Sequence, residues 1–222
     1  MNSHNILVVD DDLAILKFLR ANLEARRYRV STARDGEEAL HAMEKDLPDL
    51  VILDVIMPKL DGFEVCCRIR EWSQVPVIML SARRAEEDKV KCLELGGDDY
   101  VTKPFGVEEL VARVEAVFRR SQLPEPVPTK PVFESGQIDI NFAQRRVTIG
   151  SQEVKLTPTE YRLLQELALN AGKVLTHRML LNRVWGSEYG NEREYVRVFI
   201  NRLRNKIEPN PANPRYILTE YG

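Results

Sequence analysis

The chain holds 222 residues, 30% of them charged and 44% hydrophobic, ordinary values for globular protein at a length that suggests two domains. Its formal net charge of −2 points to neither a nucleic-acid nor a membrane partner, and no apolar stretch nears the roughly 18 residues of a membrane span. Cys66, Cys67 and Cys92 form no CxxC and have no nearby His, so a disulfide framework and a zinc site are both unsupported. Met1 to Asn5 lead straight into a strand pattern without a basic and apolar leader, as expected of a cytoplasmic protein.

The average conceals an asymmetry. Residues 1 to 120 carry 18 Lys+Arg against 23 Asp+Glu, a balance of −5, whereas residues 131 to 222 carry 13 against 10, a balance of +3. The second part is the better candidate for meeting a polyanion.

In chain order, strands are predicted at 5 to 9, 28 to 32, 50 to 54, 76 to 80 and 99 to 102. Helices are predicted at about 12 to 25, 36 to 45, 62 to 71, 84 to 95 and 106 to 120. Strict alternation of this kind favours a doubly wound, five-stranded parallel sheet covered on both faces. Ile15, Leu16, Leu19 and Leu23 recur at helical spacing and mark the core face of the first helix. The proline-rich run from Ser121 to Lys130 then reads as an extended linker, which sets a first domain at 1 to 120 and a second at 131 to 222.

In the second domain, Ile138, Ile140 and Phe142 alternate with polar residues, and 147 to 149, Gly150-Ser151 and 154 to 156 read as strand, turn and strand. Thr157-Pro158-Thr159-Glu160 carries the signature of a capping box, opening a helix that runs to about Asn170. Two further helices are predicted, Thr176 to Trp185 and Glu192 to Ile207, giving a helix-turn-helix core.

Chemistry gathers at the strand ends of the first domain. The apolar run Leu50-Val51-Ile52-Leu53 ends in Asp54, Ile6-Leu7-Val8-Val9 ends in Asp10-Asp11-Asp12, and Tyr100-Val101-Thr102 ends in Lys103. Ligands bind outside the carboxyl ends of strands in open parallel sheets. Asp11 and Asp54 can therefore ligate Mg²⁺ while Asp10 orients water or an outer contact, Lys103 offers a point charge and Ser81 a hydroxyl to phosphoryl oxygens, and Asp54 is the nucleophile. For Asp12, capping the first helix is a sufficient role.

These residues resemble the receiver motifs of OmpR/PhoB-family two-component response regulators in order and spacing: Val-Val-Asp10-Asp11, Leu-Asp54-Val-Ile-Met-Pro58, Leu-Ser81-Ala82-Arg83 and Asp98-Asp99-Tyr100-Val-Thr-Lys103-Pro104-Phe105. The stretch Glu71 to Arg83 and the segment around Gly186 are similar to the potassium-responsive KdpE type. The resemblance implies a phosphorylated regulator of transcription rather than a turnover enzyme. Phosphate would pass from a sensor histidine kinase to Asp54, with Asp10, Asp11 and the main-chain carbonyl of Ile56 joining Asp54 around Mg²⁺, and with Ser81 and Tyr100 as a switch pair whose ring turns inward. A two-fold homodimer through the fourth helix, fifth strand and fifth helix is implied, with Lys89 opposite Glu109 and Asp98 or Asp99 opposite Arg113.

Leu156-Thr-Pro-Thr-Glu160-Tyr-Arg-Leu-Leu and Arg197-Val-Phe-Ile-Asn-Arg-Leu-Arg204-Asn-Lys are likewise similar to that family's winged helix-turn-helix. On the last helix the wheel places Val196, Phe199, Ile200, Leu203 and Ile207 on the core side. Arg197, Val198, Asn201, Arg204 and Asn205 fall opposite, with Arg202 and Lys206 flanking, as candidate contacts to promoter DNA with repeated half-sites. By position Arg202 resembles a base-contacting arginine and Arg204 a phosphate-contacting one, and Gly186 to Asn191 corresponds to a surface for RNA polymerase. The family continues past a segment like Ile217 to Gly222 into a last wing strand, so 215 to 222 is expected to be mobile or the chain a fragment.

Two rivals are separable from this reading. A phosphatase of the haloacid dehalogenase type needs a second acid two residues after the nucleophile, where Ile56 stands. A phosphate-independent DNA-binding protein would keep its dimer and DNA affinity in Asp54→Asn.

Overall fold

The computed structural model describes residues 4–82, 86–121, 132–186, 189 and 192–220. The chain divides into two units, Met1–Val117 and Phe118–Gly222. Among the described residues no helix is long and apolar enough to cross a membrane.

The first unit is a parallel sheet of β1 (Asn5–Val9), β2 (Arg29–Ala33), β3 (Leu50–Asp54), β4 (Val77–Ser81) and β5 (Asp99–Thr102), in the order β2-β1-β3-β4-β5. Every residue of β1, β3 and β4 is buried, which is why they read as unbroken apolar runs rather than as alternating ones. Edge strand β2 is only partly covered and carries Arg29, Ser31 and Thr32.

The connecting helices are α1 (Leu13–Glu24), α2 (Gly36–Lys45), α3 (Gly62–Trp72), α4 (Glu86–Glu94) and α5 (Val107–Ser121). Asp12, Asp35 and Asp61 cap the first three by accepting a backbone N–H from the first turn, and Leu16, Leu19 and Leu23 of α1 are buried against the sheet. With parallel strands and helical crossovers, all five carboxyl ends lie along one edge.

The second unit opens with an antiparallel meander of β6 (Val132–Ser135), β7 (Ile138–Asn141), β8 (Arg146–Ile149) and β9 (Gln152–Glu153). β6 was not legible in sequence: it follows Pro131 directly, has only Val132 and Phe133 as apolar residues, and is half-exposed. Three helices follow, α6 (Pro158–Leu169), α7 (His177–Val184) and α8 (Arg193–Ile207). Thr157 and Glu160 form the predicted capping box at the start of α6. Trp185, Tyr189, Tyr195 and Phe199 make edge-to-face contacts with centroids 5.2 to 6.0 Å apart, and they fix α8 in the unit.

Residues 215–220 form no strand, and 221 and 222 of the segment expected to be mobile lie outside the described residues. The Glu208 carboxylate accepts the N–H groups of Arg215, Tyr216 and Ile217 at 2.7, 2.9 and 2.8 Å, and the Ile217 side chain is buried. One acid satisfies three backbone donors that a sheet partner would otherwise take.

Candidate functional site

β1 ends at Val9 and β3 at Asp54, and their parallel pairing brings Asp10 and Asp54 side by side at the carboxyl edge. Asp10 and Asp54 are buried, Asp11 is exposed, and one carboxylate oxygen from each lies within 4.8 Å of the others. Lys103, just after β5, places its Nζ 2.6 Å from Asp10 Oδ2 and 2.9 Å from Asp54 Oδ2. Its own backbone N–H donates to the Ser81 carbonyl at 2.7 Å, so the ammonium is carried by the sheet rather than by a free loop.

Burial pushes the Asp54 carboxyl above its ordinary range and Asp10 adds to the effect, against the opposing pull of Lys103 and the Ile56 N–H. Burial acts on Lys103 in the opposite sense, but Asp10 and Asp54 outweigh it and hold the ammonium charged. Among the described residues, three acids face one cation. Oxygen donors of this kind fit a hard divalent ion, and so few protein ligands, with water completing the shell, suit Mg²⁺.

The start of α3 is pressed onto the Asp54 backbone. A Cβ at Gly62 would sit 2.1 Å from the Asp54 carbonyl oxygen and 2.8 Å from the Val55 Cα, so glycine is required there by contact rather than by dihedral angle. Gly62 N–H donates to the Val55 carbonyl at 3.0 Å, and Val55 N–H to the Leu80 carbonyl at 2.8 Å. Ser81 and Tyr100 are buried on neighbouring strands, with the Tyr100 ring already inside the core cluster. Ile56 is 50% exposed at the mouth. Asp12 caps α1 through Ala14 N–H at 2.8 Å and its own N–H donates to Asp10 Oδ1, as its sufficient role requires. Arg83 lies outside the described residues.

The proposed dimer residues divide. Asp98 is corrected: it is fully buried, its Oδ2 bound by Arg70 Nη2 at 2.9 Å and by Val77 N–H at 3.1 Å, so it tethers the start of β5 to α3 and offers nothing to a partner. Asp99 is also buried and pairs within the chain, with Arg113 Nη1 at 2.9 Å, and Arg113 reaches Glu109 at 3.4 Å. Glu109 is exposed and Lys89 half-exposed on α5 and α4.

The proposed DNA contacts divide too. Arg197, Asn201 and Asn205 are exposed on α8. Val198 is corrected: at 3% exposure it belongs to the core and cannot meet a base. Arg202 is turned inward, its Nη2 in ionic contact with Glu160 Oε1 at 2.8 Å, and Lys206 Nζ binds Glu160 Oε2 at 2.6 Å. Arg204 donates to the Ile217 carbonyl at 2.7 and 3.0 Å and to Thr219 Oγ1 at 2.9 Å. In the expected polymerase surface, residues 187, 188, 190 and 191 lie outside the described residues. Sequence reasoning gave Glu160 only its capping role and Glu208 none. An acid at the start of one helix facing Arg-x-x-x-Lys on another is the signal that could have found the first.

Comparison with known proteins agrees with this geometry. Residues 6–115 match the response regulator receiver domain, and residues 151–222 match the C-terminal domain of transcriptional regulatory proteins. The chain is 44% identical over 217 residues to the transcriptional regulatory protein KdpE of Mycobacterium tuberculosis, covering 98% of this chain and 96% of the relative. It is also 44% identical, over 224 residues, to the alkaline phosphatase synthesis transcriptional regulatory protein PhoP of Bacillus subtilis, covering 98% and 93%. Equal identity to both does not divide the KdpE type from others. Among solved structures, the response regulator DrrB of Thermotoga maritima, an OmpR/PhoB homologue, aligns over 98% of this chain and 95% of its own with TM-score 0.54 and 36% identity. The chain belongs to the two-component response regulators that join a receiver to an OmpR/PhoB-type DNA-binding domain, a family of transcription regulators rather than enzymes.

Proposed function

We propose that Asp54 accepts a phosphoryl group from the phosphohistidine of a sensor histidine kinase, and that the acyl phosphate promotes homodimerisation and binding to promoter DNA. The observation that carries this is the meeting of three carboxylates within 4.8 Å, two of them bridged by Lys103. An Asp54 oxygen attacks phosphorus in line as the P–N bond to the kinase histidine breaks, and the neutral imidazole leaves. Asp10, Asp11, Asp54 and the Ile56 carbonyl would hold Mg²⁺, which when bound would supply charge neutralisation at the phosphoryl oxygens. Lys103 is already in place to move its contact from Asp54 to a phosphoryl oxygen, and Ser81 offers a hydroxyl from the adjacent strand.

Tyr100 and Ser81 then bias the face of α4, β5 and α5, where Lys89 and Glu109 are among the accessible charges for a second copy. The helix-turn-helix of α7 and α8 docks on half-sites in the major groove, the loop from Gly186 to Asn191 meets RNA polymerase, and the whole operates in the cytoplasm. The test is a gel-shift on the promoter beside the gene, with and without a small phosphodonor and Mg²⁺, paired with intact mass. An adduct of roughly 80 Da on Asp54 with tighter DNA binding supports the reading. An adduct elsewhere, or none, overturns it.

A further inference from the structure

We propose that Glu160 locks Arg202 and Lys206 into the interior of the second unit, leaving Arg197, Asn201 and Asn205, among the described side chains of α8, to read base pairs. This rests on the reading that α8 enters the major groove. Glu160 is fully buried at the start of α6: Oε2 accepts from Lys206 and from the Thr157 N–H at 2.9 Å, while Oε1 is in ionic contact with Arg202 at 2.8 Å without a hydrogen bond. The lock is reinforced from α8 and from the sheet side. The Arg202 guanidinium lies 4.6 Å from the centre of the Phe199 ring, and Lys206 Nζ also donates to the Lys155 carbonyl at 3.1 Å. Side-chain exposure follows, 10% for Arg202 and 31% for Lys206.

On the helix wheel Val198, Arg202 and Lys206 occupy successive positions of one i, i+4 row, and that row faces α6. For either cation to reach a phosphate or a base, it must leave a carboxylate buried and short of its charge partners. A screened contact to DNA does not repay that loss. The adjacent row is Arg197, Asn201 and Asn205, all exposed. Its members are about 6 Å apart along the axis, close to two base-pair steps of about 3.4 Å. Arginine pairs in bidentate fashion with guanine, and asparagine with adenine. Specificity is therefore carried by one row, and fold by the next.

The test uses the full chain, treated with phosphodonor and Mg²⁺, and a duplex selected by that chain from random sequence. Affinity is measured against salt for wild type, Lys206→Met, Glu160→Met/Arg202→Met/Lys206→Met, Arg197→Ala and Asn201→Ala, with folding checked by circular dichroism. The lock predicts an unchanged salt slope and unchanged base preference for the first two variants, the triple replacement removing all three charges together. Arg197→Ala and Asn201→Ala should each relax preference at one base pair by roughly tenfold. A slope shallower by about one for Lys206→Met, or preference lost in the triple variant and kept in Arg197→Ala, overturns the lock. A wild-type chain that selects no duplex overturns instead the functional reading beneath it. Should the triple variant not fold, Lys206→Met alone, half-exposed in the native chain, still decides by its slope.

Discussion

Each unit of this chain gathers a small, largely buried cluster of charges, and the two are balanced in opposite directions. Asp10, Asp11 and Asp54 surround the single ammonium of Lys103, whereas Glu160 alone faces Arg202 and Lys206. Burial drives Asp54 and Glu160 alike toward neutrality, yet the outcomes differ. The Asp54 carboxyl is held above its ordinary range, while at Glu160 the two cations and the Thr157 N–H outweigh burial and hold it below. An excess of acid leaves lone pairs for an added cation, as the proposed phosphorylation of Asp54 requires. An acid outnumbered by cations in a buried position is held ionised by them, and its cluster serves the fold.

The sharpest way to break this comparison is Asp54→Asn, which keeps shape and removes the nucleophile. Phosphodonor treatment should then give no adduct at all and no gain in DNA affinity, read by intact mass and gel-shift. A full adduct in the variant would place the reactive acid elsewhere and remove the basis of the contrast.

The acid-rich cluster was legible in sequence because a parallel strand buried on both faces is an unbroken apolar run, and the polar residue that ends it has to lie at the sheet edge. The helix wheel, in contrast, ranks residues by direction without knowing the width of what covers them. Arg202 turns inward to Glu160 at the start of α6, and Val198, one turn earlier on the same row, is buried as well. Asp98 failed for a related reason. It follows Gly96-Gly97 and looks like a turn residue, but its partner is Arg70, 28 positions away, and no local pattern announces that pair.

Gly62→Ala probes the reactive cluster through its backbone. The added methyl meets the Asp54 carbonyl and Val55 Cα, both main chain, so the neighbours cannot yield by a rotamer change. A destabilisation of about 3 kcal/mol is expected in the urea transition of the first unit, with slower labelling of Asp54. The second unit's transition should not move.

Glu160→Gln tests the cation-rich cluster. It leaves two cations around a neutral amide and should cost about 2 kcal/mol, less than the roughly 3 to 5 kcal/mol of a fully buried broken pair, because Lys206 keeps 31% exposure and regains water. Acid should imitate the variant. A carboxyl whose folded value is depressed contributes fully above its unfolded value and loses that contribution as pH falls through the folded one. The second unit's stability should therefore decline below the ordinary Glu value of 4.5, and the Glu160→Gln chain should decline less over the same window. Parallel curves for the two proteins in urea denaturation at successive pH values would show that Glu160 carries no such linkage.

The smallest expected effect belongs to Ile56, half-exposed at the mouth of the reactive cluster. Its side chain offers no hydrogen-bonding group to orient water toward an acyl phosphate on Asp54, so self-dephosphorylation should be slow. Truncation to Ile56→Ala removes nothing that assists hydrolysis, and the adduct's lifetime, followed by intact mass after donor removal, should stay long. A lifetime of seconds in the native chain that lengthens in Ile56→Ala would mean the side chain promotes attack, and the mouth of the cluster would then have to be counted among its reactive parts.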